Sequence, residues 1–559
     1  MRLRPVLVSA ILLSLVACGR DAGPLPPLGY APADTPYVMG AIEGMAEADV
    51  RAWLSKTDDV PALYVDLLAP AIAELETKPP DEAKALPMLR ALNAEFDGKT
   101  STQIVADWGL STTARSALFG IDLVPVLRVE LADSEKFRAG VERVAAAAGT
   151  SLSKARIDAL DYWYFQPDDA PLRLLLALHE GQLVASIAPA GADESLLRRL
   201  LGLELPADSL LDAGTLQNLN KRLGYVPQGS GYLDHARLFE LVAQPMSANQ
   251  SAFLKALKIT PEPLSEACLA EGRELTKQWP RTAMGYTRLD QQVQSMRLVV
   301  ETPPSVSTDL RTLLAPTPGL AQGGTSLANF SFALKVDALP QLASKWASAV
   351  EAKPWTCEML QPLNASFAQM RDGLANPAVY AVGPAANSVH VMLSKLVLPK
   401  DEDGEPEFAG TLLIGSPNPQ GLVAMARNFV PQLSELKLEL DAEPVALPTL
   451  PDSPVELELF GAASANVLGI AVGASERDGL RAAMTVDATG PQPIMQGGYQ
   501  GKFYADVMRQ MAERAAQEDP NAPDMQAMFD LYERFIARTE TRLLFTEAGI
   551  ELISSNEMP

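Results

Sequence analysis

The three histidines, at 179, 235 and 390, are the entire imidazole supply of a 559-residue chain. No His-x-x-x-His or Glu-x-x-His spacing occurs, so a metal site would require distant segments to converge, and the expected roles are ordinary ones. His179 stands beside the turn Glu180-Gly181, His390 lies within a strand, and His235 follows Asp234, which reads as a helix N-cap. Ser151-Leu152-Ser153-Lys154 matches the Ser-x-x-Lys step in which a lysine helps to deprotonate a nucleophilic serine. Neither Ser-Asp-Asn nor Lys-Thr-Gly accompanies it, and Ser151 precedes a strand instead of opening a long helix. The acidic run Asp401 to Glu407 begins like a calcium loop, yet Leu412 stands where the twelfth-position glutamate belongs, so a solvated acidic turn is the simpler reading. Nucleophile-elbow and phosphate-loop motifs are absent. The expectation is therefore no catalytic set, no metal and no cofactor. Tyr162-Trp163-Tyr164-Phe165 is the densest aromatic run, and strand alternation places Tyr162 and Tyr164 on one face and Trp163 and Phe165 on the other. One face is expected in the core and the other is a candidate partner or ligand surface.

The third kind of chemistry belongs to cysteine. Leu15-Val16-Ala17-Cys18 closes a short apolar stretch, Pro5 to Val16, behind Arg2 and Arg4. The stretch is too short to span a bilayer, and the pattern resembles the lipobox of bacterial lipoprotein signals. That resemblance implies cleavage before Cys18, lipidation of its sulfur and of the new amino group, and attachment to the membrane through the acyl chains. Gly19 and Arg20, in place of an inner-membrane retention aspartate, point to the periplasmic face of the outer membrane. Losing Arg2 and Arg4 and no acid takes the formal net charge from −23 to −25. Such a charge repels phosphate backbones, which argues against nucleic acid as a partner. Two cysteines remain, Cys268 and Cys357. In an oxidising compartment they can pair, which would stabilise the fold by about 4 to 5 kcal/mol, or stay as separate buried thiols.

These residues need elements to hold them. With 47% apolar and 21% charged residues the chain is globular in composition. Residues 1–17 read as the signal and 18–36, dense in proline, as an extended tether. Beyond it the order of elements repeats approximately: one α+β unit over 37–303, a connector over 304–325, and a second unit over 326–559. Each unit begins with a strand and a helix. Each reaches a Gly-Tyr pair before a helix, Gly231-Tyr232 and Gly498-Tyr499, and each ends in a hairpin, Val293 to Glu301 and Ile550 to Ser554 forming the last strands. The expected fold is α+β, two tandem copies of an antiparallel sheet with helices.

Ala33-Asp34-Thr35-Pro36-Tyr37-Val38 resembles the opening of a widespread family of uncharacterised envelope proteins, to which no activity is attached. Duplication extends surface, which suits binding, whereas catalysis needs one concave polar site. The leading expectation is a non-enzymatic binding or scaffold protein for envelope components. The alternatives are a carrier of a lipid or other apolar ligand, and a hydrolase acting through paired carboxylates.

Overall fold

The computed structural model describes residues 24–559 apart from 80–81, 151, 168, 261–262, 377–384, 400–405, 449–456, 488–489 and 519–524. Its strands in chain order are β1 Tyr37–Gly40, β2 Ser116–Ile121, β3 Val124–Glu130, β4 Ser153–Ile157, β5 Leu160–Phe165, β6 Leu172–His179, β7 Gln182–Pro189, β8 Ser230–Asp234, β9 Arg281–Leu289 and β10 Val293–Glu301. They continue as β11 Ala328–Ala333, β12 Ser388–Val397, β13 Glu407–Gly415, β14 Val445–Ala446, β15 Leu459–Ala463, β16 Val467–Val472, β17 Met495–Gln500, β18 Arg538–Phe545 and β19 Gly549–Glu557. All pair antiparallel in one sheet, in the spatial order β4-β5-β6-β7-β3-β2-β1-β8-β9-β10-β19-β18-β17-β11-β12-β13-β16-β15-β14. With helices between the strands, the fold is α+β.

From β5 to β10 the spatial order is matched, strand for strand, by the order from β14 to β19 approached from the other end. The two series meet where β10 and β19 run antiparallel from Val293↔Glu557 to Glu301↔Gly549, with Arg297↔Ile553 at the middle. Their hairpin turns close alike, Asp290 N donating to Val293 O and Thr546 N to Gly549 O. Gly549 has φ +136°, and a Cβ there would sit 2.1 Å from Val300 O, so only glycine lets β19 start against β10.

Strand formation follows alternation. In β11, Ala-Asn-Phe-Ser-Phe-Ala buries every second residue, Asn329, Ser331 and Ala333, and leaves Phe330 and Phe332 exposed. Helices pack on the buried face. Leu196, Leu197, Leu200 and Leu201 of the helix Glu194–Leu201, and Leu216, Leu219 and Leu223 of Thr215–Leu223, form one cluster with Val38, Phe119, Val126, Leu175 and Val184 of the sheet. Asp193 caps the first of these helices by accepting from Leu196 N, and Gly202 ends it at φ +80°.

Two sequence expectations need correction. The tether of 18–36 is not extended over residues 24–36. Pro27–Tyr30 forms a 3-10 turn with Leu28, Tyr30 and Ala31 buried, and Gln182 Nε2 donates to Leu25 O at 2.6 Å. Proline density sets φ, but burying a leucine or tyrosine side chain stabilises by about 1.5–3 kcal/mol, and that outweighs any preference for an extended chain. The Gly-Tyr pairs are not equivalent. Gly231 aligns in the sheet with Gly497, since Met39 pairs with Gly231 and Phe330 with Gly497, which places Tyr232 opposite Gly498 and leaves Tyr499 matching Leu233. A shift of one residue changes face, so Tyr232 is buried in the core while Tyr499 faces the other way, its hydroxyl 2.8 Å from that of Tyr532. After β16 the chain forms two short helical turns, Ala474–Arg477 and Leu480–Ala483, separated at Asp478-Gly479.

Candidate functional site

The charged groups buried inside the sheet, Arg128, Arg538 and Glu551, all lie on the face covered by Glu194–Leu201 and Thr215–Leu223. Arg128 of β3 is fully buried, its guanidinium carbon 3.4 Å from the centre of the Tyr30 ring, its Nε donating to Gln182 Oε1 at 2.8 Å. Burial pushes its pKa down to about 10, against the opposing pull of Tyr30 and Glu180. It pins the N-terminal segment to the sheet. Arg297 of β10 grips Glu551 of β19 across the seam, Nε to Oε2 at 2.8 Å, while its Nη1 donates to Leu223 O at 2.8 Å. Arg538 of β18 donates to Ser326 O and Gly323 O, holding the chain just before β11. Two carboxylates elsewhere are paired as well. Arg143 holds the Glu95 carboxyl below its usual range, and at Asp309 burial pushes upward but Lys345 and the Trp346 indole outweigh it.

The opposite face is different in kind. From β6 to β15 every side chain on it is uncharged, and register pairing links a single row across these strands. The row runs Leu176, Ala185, Leu127, Leu118, Met39, Gly231, Met284, Leu298, Leu552, Leu543, Met495, Phe332, Val389, Ile414 and Leu468. Much of it is open: Leu118 is 41% exposed, Leu552 38% and Phe332 45%. Flanking positions repeat the pattern, with Phe165, Leu174 and Ile187 exposed at one end and Met296, Phe330 and Val391 toward the other. Isolated exposed apolar residues are ordinary, but a contiguous array across a sheet marks a binding surface.

Helices roof the two ends. Arg138 of the helix Ser134–Ala147 lies 5.5 Å over the Trp163 ring, which is 3% exposed, and Val423 of Pro419–Ala426 packs with Leu468 and Ala463. The helix Leu86–Phe96 stacks on Ser134–Ala147, tied by Glu95 to Arg143. Helices also meet the face at β17, where the Tyr499 ring packs 5.2 Å from that of Tyr504 in Gly501–Glu518 and its hydroxyl meets that of Tyr532 in Gln526–Phe535.

The aromatic run splits as alternation requires. Tyr162 is buried among the core residues, Trp163 lies under its helix, and only Phe165 reaches the open face fully, 54% exposed. Cys268 and Cys357 form a disulfide between the helix Glu266–Thr276 and the segment before Gln361–Leu374. The histidines stay apart. His179 packs edge-on to Tyr30, His235 bonds Trp279 O and Thr282 Oγ1 after its Asp234 cap, and His390 is fully buried with Nδ1 donating to Pro318 O at 2.9 Å. Among the described residues no group of three His, Cys, Asp or Glu side chains could hold a metal ion, and no helix is long and apolar enough to cross a membrane. Cys18, Ser151 of the Ser-x-x-Lys match and residues 401–405 of the acidic run lie outside the described residues, while Lys154 pairs with Glu142.

His390 sets a pH expectation. Burial lowers its pKa, so the folded chain binds this proton less readily than the unfolded one, and the stability it contributes is intact above the unfolded value of about 6.5 and lost as pH falls below it. His179, also lowered by burial, acts in the same direction. The thermal midpoint is expected to drop from pH 7 to pH 5, and the drop to be shallower in His390→Gln. Equal slopes in calorimetry would refute the assignment.

Sequence reasoning missed the open face. Its signal is present as alternate residues, but Leu174-Leu175-Leu176 offers leucine to both faces, and only helix placement distinguishes them. Compared with family models, curated proteins and solved structures, the chain matches none.

Proposed function

We propose that the protein is a non-enzymatic binding protein of the bacterial cell envelope, anchored through lipid on Cys18 to the periplasmic face of the outer membrane, and that it binds through the uncharged sheet face. One observation carries the reading: a row of partly exposed apolar side chains without an ionic group from β6 to β15, in a sheet whose buried charges Arg128, Arg538 and Glu551 all lie on the other face. Chemistry at a reacting centre calls for polar groups converging on one point. This surface offers continuous apolar contact instead. The lipobox resemblance supplies the location.

Two measurements test it. Cys18→Ser is expected to move the protein from the membrane fraction to the soluble one; retention in the membrane fraction would count against the anchor. Purified Cys18→Ser protein is expected to bind Nile red saturably, and adding Leu118→Asp or Phe330→Asp to reduce that binding at least tenfold while leaving the thermal midpoint within a few degrees, because both positions are open to solvent. Undiminished dye binding would remove the face from the function.

A further inference from the structure

We infer that two matched clasps fasten helices of one strand series to helices of the other, one covalent and permanent, the other ionic and releasable, and that the helical hairpin of Glu47–Lys56 and Val60–Glu76 swings open at the releasable one. Its purpose, admitting an occupant to the uncharged face, rests on the proposed function; the motion does not. The match between the two series sets the clasps in corresponding places. β1 corresponds to β11 and β9 to β18, so the turn between Glu47–Lys56 and Val60–Glu76 after β1 corresponds to the turn between Leu339–Ala352 and Gln361–Leu374 after β11. Likewise Gln526–Phe535, the last helix before β18, corresponds to Glu266–Thr276, the last before β9. Each turn is joined to the helix of the other series. Cys357 in one turn is bonded to Cys268, whereas at the other Arg534 Nη1 donates to both carboxylate oxygens of Asp59 at 2.6 Å.

Little else holds the hairpin. Leu54 is the buried residue of Glu47–Lys56 and Pro61 that of Val60–Glu76. Beside Asp59, its tip is held by Lys56 Nζ donating to Pro559 O at 3.2 Å and by Gln291 Nε2 donating to Asp49 Oδ1 at 2.8 Å. All these contacts are exposed, and an exposed ion pair is weak and screened by salt. A segment with so few buried apolar contacts opens locally while the rest stays folded. The far side of the helical excursion is secure and supplies the pivot. Trp108 packs edge-on to Phe137 at 5.6 Å and against Gly140, where a Cβ would meet its ring at 2.9 Å, and Arg143 grips Glu95. Position gives the opening its effect. Val60–Glu76 packs on Leu86–Phe96, the Tyr64 and Phe96 rings 6.1 Å apart and Arg90 paired with Glu76 at 2.6 Å. Leu86–Phe96 lies in turn on Ser134–Ala147 over Trp163, and Gln526–Phe535 meets Tyr499. Helix contacts thus run from Trp163 to Tyr499 on the uncharged side of the sheet, with the pair of Asp59 and Arg534 as the exposed ionic link in that line.

Pulsed electron spin resonance on Cys18→Ser protein, whose other cysteines are held in the disulfide, tests the clasp. Maleimide-linked spin labels at Ala62→Cys and Ala527→Cys straddle the ionic junction, and a second pair at Ala270→Cys and Ala365→Cys straddles the disulfide; all four positions are exposed. In Arg534→Gln the longer-distance population across the ionic junction is expected to be about fivefold larger than in the parent at low salt, the weight of one exposed ion pair. High salt is expected to raise it in the parent, Arg534→Lys to reverse part of the increase, and the distances across the disulfide to stay unchanged throughout. Thermal midpoints recorded on the same samples separate opening from unfolding. Unchanged distances in Arg534→Gln, or equal broadening at both junctions, would overturn the inference. Cross-linking the cysteines introduced at 62 and 527 with a bismaleimide is expected to slow Nile red uptake at least tenfold, and uptake at the parent rate would overturn the clasp as an entrance. Dye binding absent from every form, with the distances shifting as expected, would remove the proposed function and leave the clasp standing.

Discussion

Reducing the Cys268–Cys357 disulfide, or replacing both cysteines with serine, is expected to lower the free energy of unfolding by about 4 to 5 kcal/mol. The figure follows from the sequence separation of 89 between the two cysteines, a loop whose freedom in the unfolded chain the bond removes. Position adds a second consequence. The bond joins the helix Glu266–Thr276, which leads into β9, to the turn between Leu339–Ala352 and Gln361–Leu374, which follows β11. Glu271 reinforces the same junction, accepting from Thr356 N, Thr356 Oγ1 and Cys357 N at 2.6–2.9 Å, and those bonds hold its carboxyl below the usual range. Urea denaturation with and without reductant measures the effect. A loss under about 1 kcal/mol would mean that the junction is held by its hydrogen bonds and packing, and the disulfide is incidental.

Glu551→Ala is expected to cost about 3 to 5 kcal/mol. Glu551 is 2% exposed and accepts from Arg297 and from Thr546 Oγ1, so its removal strands a half-buried guanidinium in the seam. Arg297→Met combined with Glu551→Leu is expected to recover most of the loss, because apolar replacement of both partners leaves no uncompensated charge. Urea midpoints of the single and double variants check this. A single variant within about 1 kcal/mol of the parent would place the pair among ordinary surface ion pairs.

What could be read before folding was whatever local chemistry decides. The alternation of Val293 to Glu301 and the preceding Asp290-Gln291 turn gave the last strand of the first series to the residue. Asp234 announced a helix start because a carboxylate satisfies free backbone N–H groups wherever it meets them, and Asp133 and Asp193 cap their helices by the same chemistry. The misread parts depend on non-local packing. Leu25 to Tyr30 looked like a spacer because its prolines are visible in sequence and the pocket that takes Tyr30, built by Arg128 and Gln182, is not. The Gly-Tyr match failed through a one-residue slip that identity favoured and register forbids. The candidate site was the least legible part. Trp163 and Phe165 were recognised as one face, yet whether that face is covered depends on a helix that packs over Trp163 and ends short of Phe165.

The seam at β10 and β19 has a consequence for how the molecule assembles. Taken alone, either series of strands would end in a bare nine-residue edge whose free N–H and C=O groups match those of the other in antiparallel register. Joining the two edges in one polypeptide replaces an encounter between molecules with an intramolecular closure at an effective concentration on the order of millimolar. The same complementarity works between chains. In a crowded population of half-opened molecules, β19 of one can close on β10 of another, giving swapped dimers or open head-to-tail strings instead of monomers. The ion pair between Arg297 and Glu551 and the cysteine bond therefore act as latches on a closure that, once slipped, would propagate from molecule to molecule.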